Sequence, residues 1–474
     1  MGFGKIDEDV LVNLRKIVGE KNLFTSGEEL EKYSYDETPQ GIKALPEIVV
    51  KTNNITEVSK VLSLANEKKI PVTPRGQGTG LCSGAVPVYG GILLSLENMN
   101  RIIEIDEDNL MAVVESGVVL SDLREEVENR GLFYPADPGE RTSSIGGNVN
   151  TNAGGMNGVK YGKTRKYILG MEAVLPSGKI LELGGKVVKR STGYELMHLI
   201  IGSEGTLAVV TKVIIKLLKL PDKFMTLYIP FNNLYDAVKS VSEILKERMT
   251  PTAMEFVERD VILEAEKREG KIMPHRDSEA YLIIRIEGEK DEDLDEKAID
   301  ISEVCMKNNA VDVLVADTKE KQDNIWDVRS IFYEAIVKNK TAELIDTAVP
   351  PSSIPEYMKR IKEISQKHGV RILSYGHAGD GNIHIQPIKE KLTDVEWDKR
   401  LPAVMESIYR EAYLLGGVVS GEHGIGWTKK KYLPICLDEE QIRLMREIKS
   451  IFDPNKILNP GKIFDNITRA HSGM

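Results

Sequence analysis

Two histidines lie seven residues apart in the segment SYGHAGDGNIHIQ, residues 374–386, of a chain that has 7 histidines in all. An Asp-Gly pair flanked by alternating residues predicts a hairpin. A two-residue turn at Asp380-Gly381 would place His377 directly opposite His384, with Cβ atoms about 5 Å apart. Two imidazoles at that distance can share one metal ion. The alternative is a polar surface hairpin whose histidines have no function.

The composition bounds the class of protein. With 474 residues the chain is too long for one compact core, so two or three domains are expected. Apolar residues make up 41% and charged residues 29%, which is ordinary for a soluble globular protein. The net charge of −10 argues against a nucleic-acid partner. The N-terminus has no apolar signal-peptide region, and no apolar run reaches transmembrane length.

Cysteine usage favours the cytoplasm as the compartment. The chain has 3 cysteines, far apart in sequence and without a C-x-x-C pair, namely Cys82, Cys305 and Cys436. They cannot form a four-cysteine cluster within one chain, so iron–sulfur electron transfer would belong to a partner.

The elements that must position the histidines fall into three predicted regions. Residues 1–220 are read as a strand-rich α+β domain, in which Val58, Val61, Leu62 and Ala65 have helical spacing. Ser121 is a candidate cap for a helix through Val127. Residues 221–425 alternate strands and helices, and the segment EKDEDLDEK is expected to be a solvated loop. Residues 426–474 are expected to pack back on the first domain.

Four glycine-rich segments between residues 74 and 211 suggest a long ligand with an anionic middle. They are PRGQGTG, PADPGERTSSIGGNVNTNAGG, VVKRSTGYELMHLIIG and GSEGTLAVVT. Glycine lets backbone N–H groups approach a ligand closely, and successive N–H groups form anion-binding nests. A dinucleotide pyrophosphate would suit such loops, although each could be only a tight turn. RGQGTG is not a Rossmann fingerprint, because LCSGAVP follows Gly80 in place of a helix.

Taken together, these motifs resemble a known flavoprotein family. PRGQGTG, PADPGERTSSIGGNVNTNAGG and GSEGTLAVVT, in that order, are similar to the FAD-binding domain of the vanillyl-alcohol oxidase (p-cresol methylhydroxylase-type) family. GHAGDGNIH, SGEHGIGWTKKKYL and FDPNKILNPGK resemble the D-lactate and glycolate dehydrogenase branch, which also holds D-2-hydroxyglutarate dehydrogenase. The resemblance covers residues 40–465. It implies a p-cresol-methylhydroxylase-type FAD domain and an α+β cap domain with an antiparallel sheet.

The resemblance also implies where FAD binds. The pyrophosphate would meet the first glycine loop, and the remaining contacts come from the later segments. The implied residues are Pro74, Arg75, Gly76, Gln77, Gly78, Thr79, Gly80, Pro135, Asp137, Thr142, Ser143, Gly146, Gly147, Asn152, Gly154, Gly155, Glu204, Gly205 and Val210. Some relatives tether the flavin to a histidine in the first loop. This loop has Gln77 and Thr79 instead, so non-covalent FAD is expected.

The metal site and the catalytic groups are carried over in the same way. Family members bind a divalent ion through residues that match His377, His384 and Glu422. Two histidines and one carboxylate suit Zn²⁺, Fe²⁺ or Mn²⁺ and do not choose among them. His423 is then the base that takes the substrate hydroxyl proton. Arg329 matches an arginine that holds the substrate carboxylate. The alternatives are a structural histidine in a turn and an exposed helix arginine.

The substrate and the acceptor are expectations of the same resemblance. Enzymes for 2-hydroxyglutarate carry a lysine at the position of Leu344, so a short acid such as D-lactate is favoured, with glycolate open. An electron-transfer flavoprotein is the expected acceptor. The other classes considered are a metallohydrolase, which leaves the glycine segments unexplained, and a non-catalytic flavin subunit, which tends to lose the metal motif.

Overall fold

The protein is described by a computed structural model that covers residues 2–247, 249–338 and 340–465. Its contacts divide the chain into two compact units. The first unit consists of the described residues of Met1–Ala153, Lys163–Leu220 and His423–Met474. The second consists of those of Gly154–Gly162 and Pro221–Glu422. Each unit mixes helices with a sheet, as the α+β prediction requires.

The first unit contains two larger sheets and one short strand pair. Its strands are β1 (Leu23–Phe24), β2 (Ile48–Lys51), β3 (Val72–Arg75), β4 (Ile92–Ser95), β5 (Ile102–Asp106), β6 (Met111–Glu115), β7 (Leu132–Phe133), β8 (Ile168–Val174), β9 (Ile180–Gly184), β10 (Val209–Lys216) and β11 (Leu218–Lys219). One sheet has the order β1-β2-β4-β3, in which β2 and β3 run parallel to β4. The other is antiparallel with the order β5-β6-β10-β8-β9, and β7 pairs with β11.

Helices of the first unit surround these sheets. They are Glu8–Val18, Glu28–Lys32, Ile55–Lys68, Leu120–Glu128, Ile145–Thr151, Leu196–Ile200, Leu433–Cys436 and Glu439–Phe452, with 3₁₀ turns at Glu20–Asn22, Thr164–Tyr167 and Lys430–Tyr432. The predicted spacing is confirmed in Ile55–Lys68, whose four apolar positions are all buried. The Asn54 side chain caps this helix by accepting a hydrogen bond from the Glu57 amide.

The predicted cap at Ser121 is wrong. Helix Leu120–Glu128 begins two residues earlier than a cap at Ser121 requires, with Val119 at the N-cap position and no side-chain cap. The Ser121 hydroxyl instead donates to Asp122 within the first turn. Backbone pairing explains the early start, because the Leu120 amide is already satisfied by the Ser143 carbonyl at 2.9 Å.

The C-terminal segment is part of the core of the first unit. Ile457 and Leu458 are fully buried among residues of β2, β3 and β4. The amide of Val72 donates to the Ile457 carbonyl at 2.8 Å. Lys449 is buried and donates to Asp453 at 2.5 Å and to the Thr206 carbonyl at 2.6 Å, so its charge is compensated.

The second unit is built on one large sheet. Its strands are β12 (Lys223–Phe231), β13 (Ala253–Glu258), β14 (Ala280–Gly288), β15 (Leu314–Ala316), β16 (Ile345–Ala348), β17 (Arg371–His377) and β18 (Asn382–Ile388). Their order is β15-β12-β14-β13-β17-β18-β16, and neighbours in this order are antiparallel. The predicted antiparallel sheet is therefore confirmed.

Helices cover this sheet. They are Gly158–Tyr161, Leu234–Lys246, Arg259–Glu269, Asp291–Lys307, Lys319–Ser330, Phe332–Val337, Ile354–His368 and Asp394–Leu414, with a 3₁₀ turn at Pro351–Ser353. The segment EKDEDLDEK, expected to be a loop, is mostly helical. Helix Asp291–Lys307 starts inside it with Asp291, Glu292 and Asp293 in the first turn, where acidic residues stabilise the helix dipole.

No helix in the described part of the chain is both long enough and apolar enough to cross a bilayer.

Candidate active site

The hairpin between β17 and β18 has a different register from the predicted one. His377 pairs with Asn382, and Tyr375 pairs with His384, so the two histidines are diagonal neighbours. The prediction that His377 lies directly opposite His384 is wrong. The amides of Asp380 and Gly381 both donate to the His377 carbonyl, at 3.2 and 3.1 Å, so the connection closes at His377. Both histidines still lie on the same face of the sheet, because paired residues and residues two apart share a face.

Three donor atoms converge on this face. The Nε2 atoms of His377 and His384 are 3.4 Å apart, and Glu422 Oε1 lies 3.3 Å from the first and 3.5 Å from the second. Ligand atoms that lie about 2.1 Å from one tetrahedral ion are about 3.4 Å from each other. Both histidines are buried and Glu422 is half-buried. The three residues therefore fit one divalent cation.

A buried carboxylate from the next strand joins this cluster to an arginine. Glu255 on β13 pairs directly with His377, and its Oε1 accepts from His377 Nδ1 at 2.7 Å. Its other oxygen accepts from Nε and Nη2 of Arg329, at 2.7 and 2.5 Å. Arg329 lies in the last turn of helix Lys319–Ser330 and is only 7% exposed, so it is not an exposed helix arginine. The Tyr375 ring lies 5.2 Å from the His384 ring and 5.4 Å from the Arg329 guanidinium carbon.

The charges in this cluster shift its pKa values. Burial opposes ionisation of Glu255, but the charges of Arg329 and His377 outweigh burial and lower its pKa. Burial likewise opposes protonation of His377, but the carboxylates of Glu255 and Glu422 raise its pKa well above the ordinary value. Two carboxylates next to two imidazoles therefore favour a positive charge at this position, supplied by a proton or by a metal cation.

A second buried carboxylate organises the chain around Glu422. Asp346 on β16 pairs directly with His384 and is fully buried. Its Oδ2 accepts hydrogen bonds from the Ser420 hydroxyl and from the amides of Gly421 and Glu422, at 2.8, 3.0 and 3.1 Å. Its Oδ1 accepts from Asn382 at 2.7 Å. Asp346 therefore holds the Glu422 backbone against the strand that carries His384.

The side chain of Gln386 lies on the same sheet face as His384, two residues further along β18. Gln386 is fully buried on β18, two residues from His384, and its Oε1 and Nε2 have no hydrogen-bond partner among the residues that the structure describes. Leu344, which immediately precedes β16, is 4% exposed. A buried amide without partners is costly unless a ligand or water satisfies it.

In the first unit, the first glycine loop, residues 76–80, directly follows β3 and has backbone groups that are not paired with a strand or helix. The N–H groups of residues 76–80 donate no hydrogen bond within the described residues. The Gly78 backbone has φ +76°, and a Cβ there would lie 2.0 Å from Arg75 Nη2. Arg75 itself turns inward and donates to the Tyr35 carbonyl at 2.6 Å. Orphan backbone donors in a glycine loop fit an anionic pyrophosphate, so the loop fits FAD.

The remaining residues expected at the flavin have mixed surroundings. Asp137 pairs with Arg124 at 2.6 Å, while Thr142 and Ser143 donate to the side chain and the carbonyl of Glu140. Gly146 and Gly147 lie in helix Ile145–Thr151, which Asn152 ends with φ +51°. The others are placed by chain position alone, with Pro74 in β3, Val210 in β10, Pro135 after β7, and Gly154 and Gly155 in the second unit.

Two parts of the chain that are far apart in sequence, at Glu204 and at Ile425, contact each other inside the first unit. Glu204 accepts hydrogen bonds from the amides of Ile425 and Gly426, at 2.8 and 2.6 Å, and the Gly205 amide donates to Asn150. Burial raises the pKa of Glu204, and those two amides oppose the rise. His423 is half-buried and is the first residue of this C-terminal segment, whereas Glu422 closes the second unit.

Sequence reasoning missed three residues of this site, namely Glu255, Asp346 and Gln386. Each is a polar residue next to apolar residues in a buried strand, in AMEFVE, IDTA and NIHIQPI. A buried polar residue in a strand usually has a specific partner. That signal was available in the sequence, but the partners were not.

A neighbouring glutamate gives a prediction about pH dependence. Burial raises the pKa of Glu258, at the end of β13, to about 8, whereas an exposed glutamate titrates near about 4.3. The folded state therefore binds the extra proton between these values, and this group lowers the free energy of unfolding as pH rises through that range, by up to about 1.4 kcal/mol per pH unit. We expect Glu258→Gln to gain stability over wild type from pH 5 to pH 8 in thermal melts. A difference in melting temperature between variant and wild type that does not change with pH would contradict this prediction.

Both halves of the chain match families of known FAD-linked proteins. Residues 46–184 match the family model "FAD binding domain", and residues 220–463 match "FAD linked oxidases, C-terminal domain". The chain is 40% identical to a D-lactate dehydrogenase of Anaerostipes hadrus, covering 97% of this chain and 98% of the relative. It is 39% identical to the glycolate oxidase subunit GlcD of Bacillus subtilis, covering 97% of each.

A solved structure shows the same fold. Substrate-bound p-cresol methylhydroxylase aligns with a TM-score of 0.78 at 18% identity, over 96% of each chain. This agreement, together with the matches at about 40% identity, confirms the resemblance inferred from the motifs. The chain is an oxidoreductase that belongs to the FAD-linked oxidases of the vanillyl-alcohol oxidase and p-cresol methylhydroxylase family, in the branch of D-lactate dehydrogenase and glycolate oxidase.

Proposed function

We propose that this protein oxidises a short D-2-hydroxy acid, with D-lactate favoured, to the 2-oxo acid in an FAD- and metal-dependent reaction. The observation that carries the proposal is the convergence of donor atoms from His377, His384 and Glu422 on a sheet face that also holds the buried Arg329. The D-lactate dehydrogenase of Anaerostipes hadrus, at 40% identity, supports the choice of substrate.

Each group has a separate task in this proposal. Arg329 binds the substrate carboxylate through guanidinium N–H groups. A divalent cation held by His377, His384 and Glu422 would lower the pKa of the substrate hydroxyl. His423 takes the hydroxyl proton as a neutral imidazole. When bound, FAD would supply the acceptor for the C2 hydride, at its N5 atom, so that the 2-oxo acid is the product.

The proposed electron acceptor is a separate protein. An electron-transfer flavoprotein would reoxidise the reduced FAD, since the 3 cysteines cannot form a four-cysteine cluster within one chain. Purified electron-transfer flavoprotein should be reduced in the presence of this protein and D-lactate. No reduction under those conditions would exclude that acceptor.

A titration of the purified protein tests the proposed function. D-Lactate, L-lactate, glycolate and D-2-hydroxyglutarate are added anaerobically while flavin absorbance is followed. Bleaching by D-lactate supports the proposal. Efficient bleaching by glycolate alone or by D-2-hydroxyglutarate alone would identify that acid as the substrate in place of D-lactate. Yellow protein that no 2-hydroxy acid bleaches would favour a non-catalytic flavin subunit, and colourless protein with hydrolase activity would favour a metallohydrolase.

The first glycine loop predicts that FAD is bound without a covalent link. Gln77 and Thr79 stand where some relatives have a tethering histidine. Acid precipitation should release yellow FAD into the supernatant, where its absorbance is measured. Flavin that stays in the protein pellet would contradict the prediction.

Leu344 predicts discrimination against a second carboxylate. A leucine cannot pair with a second carboxylate as a lysine can, and an unpaired buried carboxylate costs about 3 kcal/mol, or roughly 100-fold in efficiency. Flavin reduction by D-2-hydroxyglutarate should therefore be that much less efficient than reduction by D-lactate. Leu344→Lys should reduce this difference in efficiency between the two acids. Equal efficiency of the two acids in wild type would mean that another cation binds the second carboxylate.

A further inference from the structure

Glu255 has no role in the sequence-based predictions, although it contacts two of their residues. We infer that Glu255 is a positioning residue that orients both the metal ligand His377 and the substrate-binding Arg329. The inference rests on the proposed function for those two roles. Strand pairing brings the two residues together, because Glu255 on β13 stands directly opposite His377 on β17. A rigid ladder therefore fixes its distance to the metal ligands.

Toward His377, Glu255 determines which ring nitrogen carries the hydrogen. Its Oε1 lies 2.7 Å from His377 Nδ1, and an ionised carboxylate only accepts hydrogen bonds. Nδ1 therefore donates, and the neutral ring presents its lone pair at Nε2. That atom faces His384 Nε2 and Glu422 Oε1, at 3.4 and 3.3 Å. A carboxylate behind a ligand histidine makes the ring a better and more firmly oriented ligand.

Toward Arg329, Glu255 occupies one side of the guanidinium. Oε2 accepts from Nε at 2.7 Å and from Nη2 at 2.5 Å. The side of the fork formed by Nε and Nη2 is therefore taken. Nη1 and the second hydrogen of Nη2 remain to bind a substrate carboxylate end-on. Phe332 and Tyr375 lie 5.3 and 5.4 Å from the guanidinium carbon and restrict its rotation.

The two contacts use different oxygens of one fully buried carboxylate. A side chain that only compensated the arginine charge would need no contact with His377. A side chain that only oriented His377 would need no bidentate arginine. Because both contacts are present, loss of the carboxylate should affect metal binding and substrate binding separately.

Glutamine at position 255 tests this with little change in shape. Both neighbours of Glu255 are donors, so the NH₂ group of an amide must face one of them. We expect Glu255→Gln to bind Zn²⁺ about 10- to 100-fold more weakly in competition with a chromophoric chelator. With Zn²⁺ in excess, its KM for D-lactate in flavin reduction should remain at least about 10-fold raised. FAD content should match wild type.

Two further variants separate positioning from general damage. Glu258→Gln changes a glutamate on the same strand but on the opposite face, and should match wild type in Zn²⁺ affinity and KM. Arg329→Met should raise KM but keep Zn²⁺ affinity, because Glu255 still contacts His377. Wild-type Zn²⁺ affinity and KM in Glu255→Gln would overturn the inference, as would equal loss of Zn²⁺ in Arg329→Met.

The wild-type measurements keep this inference distinct from the proposed function. A wild-type protein that binds no Zn²⁺ and is not bleached by D-lactate would refute the proposed function. Wild-type protein that does both, combined with an unaffected Glu255→Gln variant, would refute only the positioning role. The Zn²⁺ competition needs no substrate, so it tests the His377 contact even if the substrate is another acid.

Discussion

The His377→Ala, His384→Ala double variant is expected to bind no metal and to lose flavin reduction by D-lactate. The substitutions remove two of three donor atoms that lie 3.3 to 3.5 Å apart on one sheet face. A polarising cation is worth several kcal/mol in the transition state, so a loss of about 10³-fold or more is expected. Elemental analysis measures the metal, and anaerobic stopped-flow absorbance measures flavin reduction.

Two controls accompany this variant, namely its FAD content and a substitution of another histidine. The glycine segments lie in the first unit except for Gly154 and Gly155, so the double variant should keep its yellow colour. His368→Ala changes a half-buried histidine at the end of helix Ile354–His368 and should keep both metal and activity. Full metal occupancy in the double variant would show that His377 and His384 are not the ligands.

The second largest effect is expected for His423→Asn. As the proposed base, His423 takes the hydroxyl proton, and a positioned base contributes roughly 10²- to 10⁴-fold. The variant should keep FAD and metal but reduce flavin more slowly by that factor. Below neutral pH the wild-type rate should fall as the imidazole protonates, and this fall should flatten in the variant. Single-turnover kinetics between pH 5 and pH 8 measure both effects.

Two results would assign His423 differently. If the variant loses its metal, His423 is a ligand and the base is another residue. If it reduces flavin at the wild-type rate, no base is needed at this position. The neighbouring Glu422→Gln variant provides the comparison, because it should lose metal affinity first and activity as a consequence.

The two effects together would distinguish the proposed reaction from the alternatives. A metallohydrolase would lose activity in the double variant but would show no flavin bleaching in wild type. A non-catalytic flavin subunit would keep its absorbance spectrum unchanged by substrate in every variant. Only a flavin-dependent dehydrogenase shows bleaching that depends on His377, His384 and His423 in turn.

Local patterns in the sequence predicted much of the fold. The four apolar positions of helix Ile55–Lys68 are all buried, because a period of 3.6 residues acts within one turn of the chain. The glycine segments and the H-x-G-D-G-N-x-H pattern carried the family resemblance without any structure. Errors occurred where a local signal competes with tertiary pairing, as at Ser121, whose helix starts two residues earlier than predicted because the Leu120 amide pairs with Ser143.

The sequence by itself determined which groups are available for chemistry, namely the histidine pair, the G-E-H-G turn and the glycine loops. Only the tertiary structure decided how they are arranged. Glu255 and His377 are 122 residues apart, and Asp346 and Glu422 are 76 apart, so the order of strands brings them together. Sheet order and register depend on the energy of the whole core. A motif of nine residues does not contain that information, which is why the carboxylates behind the proposed metal ligands could be seen only in the folded chain.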